Sequence, residues 1–175
     1  CTGYIYGLMM ANSFIKSGAA SKILLVTADT YSKYINKADR STRVLFGDGA
    51  AASIIEGSSS DNGIVDIQVA THGDGYDKFM IPAGGTRLPK SEETEIEEAD
   101  RHGNIRSKND IKMDGMAVWS FINSKVPGQI KELLTRNSLE LSEIDLVIFH
   151  QASLLTLESL IKKLHIQDDQ VFINI

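Results

Sequence analysis

The chain has 175 residues, 42% of them hydrophobic and 23% charged, an ordinary balance for a globular protein with one full core or part of a larger one. Its net charge is −5 and its lysines and arginines are scattered, so nothing calls for a nucleic-acid or an anionic-membrane partner. No uncharged apolar stretch of about 18 residues is present, which argues against a membrane span, and one cysteine cannot form an internal disulfide, which fits a reducing cytoplasm.

The opening "CTGYIYGLMMANSFIKSG" predicts a helix from Thr2 to Ser17, apolar nearly all round and therefore buried on all sides, with Gly18 as its stop. It has no basic leader and no small-residue cleavage pattern, so it does not read as a signal peptide. "KILLVTAD" (22–29) is a continuous apolar run, the mark of a strand buried on both faces. A polar connection follows, then strands at "AAASIIEG" and "GIVDIQVATHGDG".

Residues 84–112 change character, with six acidic residues between Glu92 and Asp100, and read as a solvated surface excursion. Asp114 is a plausible N-cap for a long helix in which Pro127 and Gly128 predict a kink or break. "LSEIDLVIFHQAS" then reads as cap, strand and exit, "LLTLESLIKKLH" as a three-turn helix and "QVFINI" as a last strand. Helices alternating with apolar strands make a layered α/β fold. The absence of an initiator Met and the β-branched end predict a stretch from inside a longer chain.

Two residues stand out chemically. Cys1 begins a helix, where unpaired backbone N–H groups favour thiolate over thiol and can hold a developing oxyanion; the plain alternative is a small buried hydrophobe. His150 follows "DLVIF" and leaves the C-terminal end of a strand, where open α/β sheets place their site residues; the alternative is a structural histidine. His72, His102 and His165 have no metal-ligand spacing, so no metal site is expected. "LFGDGAAA" lacks the dinucleotide fingerprint and the P-loop lysine, and its glycines read instead as close backbone approach beside a cavity.

"CTGYIYGLMMANSFIKSG", "DRSTRVLFGDGAAASII" and "FHQAS…LIKKL", in this order and spacing, resemble the β-ketoacyl-acyl-carrier-protein synthase III family of thiolase-like condensing enzymes. The resemblance implies part of a layered αβαβα fold. Residues 1–83 would be the second part of an N-terminal repeat, 84–112 an insertion, and 113–175 the first part of a C-terminal repeat. It makes Cys1 the nucleophile and His150 the catalytic histidine, with a third catalytic group, an asparagine of a Gly-Asn motif, expected beyond Ile175. Without that asparagine these 175 residues alone are expected to be inactive.

The same resemblance assigns Arg40 to the adenine end of coenzyme A, Phe46 to the acyl-pocket floor, and Gly115 and Trp119 to the pantetheine tunnel. Lys162 and Lys163 match a basic patch for the acidic carrier protein. Two departures stand out, both bearing on the partner: Ser153 replaces an asparagine in the acyl/CoA-binding set, and Leu155 stands where an arginine usually serves docking. The implied partners are acyl-CoA, malonyl-acyl-carrier protein and a second copy in a homodimer, with no cofactor because coenzyme A arrives as substrate. The readings left open beside fatty-acid biosynthesis are a polysaccharide or secondary-metabolite pathway, a non-catalytic acyl/CoA-binding relative and, more remotely, an N-terminal-cysteine amidohydrolase.

Overall fold

The computed structural model describes residues 2–59 and 62–175; Cys1 and the nucleophile role expected of it lie outside the described residues. Helix α1 (Gly3–Lys16) stops as predicted, with Gly18 at φ +76°, a left-handed conformation that costs glycine no Cβ clash. It is not buried all round. Ala11 is buried, while Tyr4, Ile5, Tyr6, Met10 and Phe14 are exposed, because one face alone meets a sheet. Gly7 sets that contact: a Cβ there would stand 2.6 Å from Leu25 Cδ1.

The sheet pairs β1 (Lys22–Thr30) with β2 (Asp48–Glu56), antiparallel over nine positions from Lys22–Glu56 to Thr30–Asp48. Lys22 Nζ meets Glu56 Oε2 at 2.7 Å at one end. At the other, Ser32 donates to Asp48 from its N–H and its hydroxyl, at 2.8 and 2.6 Å. β1 is not covered on both faces: Leu25 points at α1, whereas Leu24, Val26 and Ile54 are 65%, 60% and 69% exposed. Nor do Gly47 and Gly49 mark close approach, since a Cβ on either would meet nothing within 4 Å; Asp48 between them closes the sheet end.

The stretch 63–75, expected as a strand, joins no ladder among the described residues and ends in a 3-10 turn at Gly73–Gly75. Arg136 Nε and Asn137 Nδ2 hold it by donating to Asp66 at 2.7 and 2.8 Å. The 84–112 segment is folded, while its acidic run is solvated as expected: Glu92, Glu93, Glu95, Glu97 and Glu98 are exposed and Asp100 is half-buried. β3 (Phe79–Met80) pairs with β6 (Lys112–Met113), and β4 (Glu98–Ala99) with β5 (Ile105–Arg106), while Ala83, Thr94 and Ile111 are buried. Ile111 donates its N–H to Tyr34 O at 2.7 Å, which fastens the segment to the connection between β1 and β2.

Asp114 caps α3 (Gly115–Arg136), accepting from Ala117 N at 3.0 Å. The helix runs unbroken through Pro127. Proline leaves the carbonyl four residues back without its N–H partner, and here Lys163 Nζ, from α4 (Leu154–Leu164), donates to Asn123 O at 2.7 Å. Ser159 Oγ also donates to Asn123 Oδ1 at 2.6 Å, tying the two helices side by side. The last two expected strands reduce to one parallel bridge, Val147–Val171. Gln151 extends the contact, donating to Phe172 O and accepting from Asn174 N.

Candidate active site

His150 leaves the Val147 bridge and precedes by three residues the N-cap of α4. The ring keeps access to solvent, yet the protein around it desolvates the imidazolium enough to lower its pKa below the ordinary 6.5. A neutral imidazole offers one N–H donor and one acceptor, the form suited to hydrogen-bonding a developing oxyanion near neutral pH. The chain turns tightly after it: Ala152 N donates to His150 O at 2.9 Å. Ser153 then caps α4, its Oγ accepting from Thr156 N at 3.3 Å. Ser153 thus has a structural task beside the substrate contact expected of it.

Phe46 sits in a column of rings, stacked on Tyr31 at 5.0 Å and on Phe79 at 5.3 Å. Phe79 pairs with Met113, and Asp114 N donates to Lys78 O at 2.7 Å. The column therefore brings Phe46 to the strand pair from which α3, with Gly115 as its first residue, departs. Trp119 lies one turn on, half-buried, with its Nε1–H shielded from water and unpartnered among the described residues. Native structures rarely leave such a donor unused.

Arg40 opens α2 (Arg40–Arg43) in another quarter, on a pocket of about 710 Å³ lined by Lys37, Arg40, Arg43, His102 and Asn104 among others. Of the two lysines expected to dock a carrier protein, Lys163 spends its ammonium on Asn123 O, whereas Lys162 lines a shallow pocket with Glu158 and Asp168.

Sequence reasoning missed the pair that builds the Arg40 loop. Asp39 is fully buried and caps α2, accepting from Ser41 N at 2.9 Å, from Thr42 Oγ1 at 3.1 Å and from Arg106 Nε at 3.0 Å. Burial alone would raise its pKa, but the bonds from Ser41 and Arg106 outweigh burial and hold it below the usual carboxylate range. Arg106 also donates to Asp100 at 2.8 Å. Asp39 beside Arg40 in "DRST" was the available signal; nothing in the sequence paired it with an arginine 67 positions away.

The chain has the fold of part of a thiolase-like condensing enzyme. A solved structure of a 3-oxoacyl-(acyl-carrier-protein) synthase III superimposes on 99% of this chain and 52% of its own, with a TM-score of 0.95 at 36% identity. Family models described as 3-oxoacyl-[acyl-carrier-protein (ACP)] synthase III and its C-terminal part match residues 1–73 and 134–175. The chain belongs to the 3-oxoacyl-[acyl-carrier-protein] synthase III family. A β-ketoacyl-[acyl-carrier-protein] synthase III of Caldanaerobacter subterraneus subsp. tengcongensis is 37% identical over all 175 residues, and one of Clostridioides difficile 35%. The chain spans about half the length of these curated relatives, 50% of each. No helix among the described residues is long and apolar enough to cross a membrane.

Proposed function

We propose that the full-length protein condenses an acyl-CoA primer with malonyl-acyl-carrier protein. The observation that carries this is a synthase III similarity running through all 175 residues, with His150 standing between the Val147 bridge and a capped helix. In the reaction, thiolate Cys1 attacks the acyl thioester carbon, and the coenzyme A thiolate departs and takes up a proton. Malonyl thioester then loses carbon dioxide, leaving an enolate whose oxygen accepts a hydrogen bond from His150 and from the asparagine expected beyond Ile175. The enolate carbon attacks the acyl-cysteine, expelling the Cys1 thiolate and releasing a β-ketoacyl-carrier protein. Donors aimed at that oxygen act where charge develops, and the cysteine divides one hard step into two.

Arg40 would stack on the adenine, as a planar cation suits. Phe46 would floor the acyl pocket, Gly115 would let the pantetheine arm pass, and Trp119 Nε1–H would find its acceptor on a pantetheine amide. Ser153 would shape the wall beside His150. Lys162 is the better candidate for carrier docking, since Lys163 is already committed. The reaction needs no metal or redox cofactor, and we place it in the cytoplasm, in a homodimer. A specialised pathway is the second reading, favoured by Leu155, which is 67% exposed where the family carries a docking arginine. Intact-protein mass spectrometry after incubation with acetyl- and longer acyl-CoA tests the proposal. An acyl adduct on Cys1 supports it, and a folded sample that takes up no acyl group from any thioester overturns it.

A further inference from the structure

We infer that Tyr31 is a specificity-determining residue: with Phe79 it clamps the ring of Phe46, and the clamp sets how long an acyl primer the site accepts. This rests on the condensation reading above and on Phe46 as the floor of the acyl pocket. Tyr31 stacks on Phe46 at 5.0 Å with 15° between the planes, and Phe79 does so at 5.3 Å and 18°. A ring flanked by two near-parallel neighbours cannot turn out of its plane without its edge meeting one of them.

The three rings come from three separately anchored segments. Tyr31 begins a single 3-10 turn (Tyr31–Lys33) after β1, closed by Tyr34 N donating to Tyr31 O at 2.9 Å. Its neighbour Ser32 is tied to Asp48 by two bonds. Phe46 N donates to Thr42 O at 3.2 Å, and Thr42 is fully buried with its Oγ1 donating to Asp39. Phe79 lies opposite Met113 in the β3–β6 pair, and Met113 Cε would stand 4.0 Å from a Cβ on Gly115, so the wall runs on to the first residue of α3. Shifting one ring therefore means moving a second segment. Within the column Tyr31 acts through its ring. Burial pushes its phenol pKa up, and the hydroxyl has no hydrogen-bond partner among the described residues. One methylene in an apolar pocket is worth about 10–200-fold in discrimination. A floor that cannot tilt gives a sharp length limit, and a floor freed on one side gives a soft one.

The test measures the rate of Cys1 acylation in the full-length protein by acetyl-, butyryl-, hexanoyl- and octanoyl-CoA, with wild type, Tyr31→Phe, Tyr31→Ala and Phe79→Leu. Wild type should show one step in this series, a drop of about tenfold or more between two successive primers. Tyr31→Phe should keep the step in place, because the ring remains. Tyr31→Ala should move it outward, raising the loading of the first rejected thioester about tenfold relative to acetyl-CoA. Phe79→Leu loosens the other side of the column and should shift the step in the same direction, which keeps the test decisive where Tyr31→Ala does not fold. A uniform slowing with all four primers overturns the inference, since lost packing alone lowers every rate together. A wild type that loads all four alike overturns it too. Both of these results acylate Cys1 and leave the condensation reading standing. If no thioester acylates Cys1, the condensation reading fails and takes the clamp with it.

Discussion

Lys163 Nζ donates to Asn123 O at 2.7 Å, supplying from α4 the hydrogen bond that Pro127 withholds within α3. The proline and the lysine are therefore one device. Lys163→Met should destabilise the protein by about 1–2 kcal/mol, the cost of an unmet buried acceptor. In a Pro127→Ala background, where residue 127 regains its N–H, the same change should cost much less. Denaturant unfolding of the four proteins gives the coupling energy. Additive effects would mean that the carbonyl never needed the lysine.

Arg106 answers to Asp39, which has no water to turn to. Arg106→Leu leaves a buried carboxylate without its cation and should cost about 3 kcal/mol at pH 7, in the range for broken buried pairs. The acid side has a definite sign. Asp39 is depressed in the folded state, so its contribution is present above the unfolded value of about 4 and is lost as pH falls through the lower folded value. Chemical denaturation from pH 7 down to pH 2 should show wild type and variant converging only below pH 4.

Ser153→Ala should cost about 1 kcal/mol through loss of the α4 cap. Ser153→Asn should cost little, because asparagine caps as well as serine. Thermal unfolding with the acylation assay separates the two tasks proposed for this position. A loss of acylation without loss of stability would make Ser153 a binding residue first.

The buried, unpaired Nε1–H gives Trp119 an opposite signature. Trp119→Phe removes a donor with no partner in the free protein, so stability should change by less than about 1 kcal/mol. Loading by coenzyme A thioesters should weaken severalfold if the indole meets the pantetheine arm. Unchanged loading would return the ring to packing.

His150 should titrate below 6.5 in NMR, as its desolvation requires. His150→Ala should spare acylation of Cys1 and slow condensation by about a hundredfold or more, the usual cost of losing an oxyanion donor. Loss of acylation instead would reverse the division of roles between the two residues.

Local grammar made much of this legible. The stop at Gly18, the Asp114 cap and the strand begun by the apolar run from Lys22 each follow from residue chemistry within a few positions. What escaped depends on partners far away along the chain. Helix α1 and strand β1 read as buried on all sides from composition, whereas burial depends on which neighbours are present, and here each has one covered face. A ladder likewise needs a second strand, so 63–75 stays unpaired despite its pattern. The acidic run is solvated from Glu92 to Glu98, as charge counting says, but counting cannot see Asp100 turning inward to Arg106.

That guanidinium has a kinetic consequence. The segment from 84 to 112 is held to the Arg40 loop by hydrogen bonds from Asn36, Arg40, Ile105 and Ile111, and Arg106 spans both sides, with Asp39 on one and Asp100 on the other. We predict that this region opens as a unit, below the free energy of global unfolding. Amide hydrogens at Ile105 and Ile111, which donate to Ala38 O and Tyr34 O, would then exchange together, ahead of those in β1 and β2. The floor of the Arg40 pocket would come and go with them.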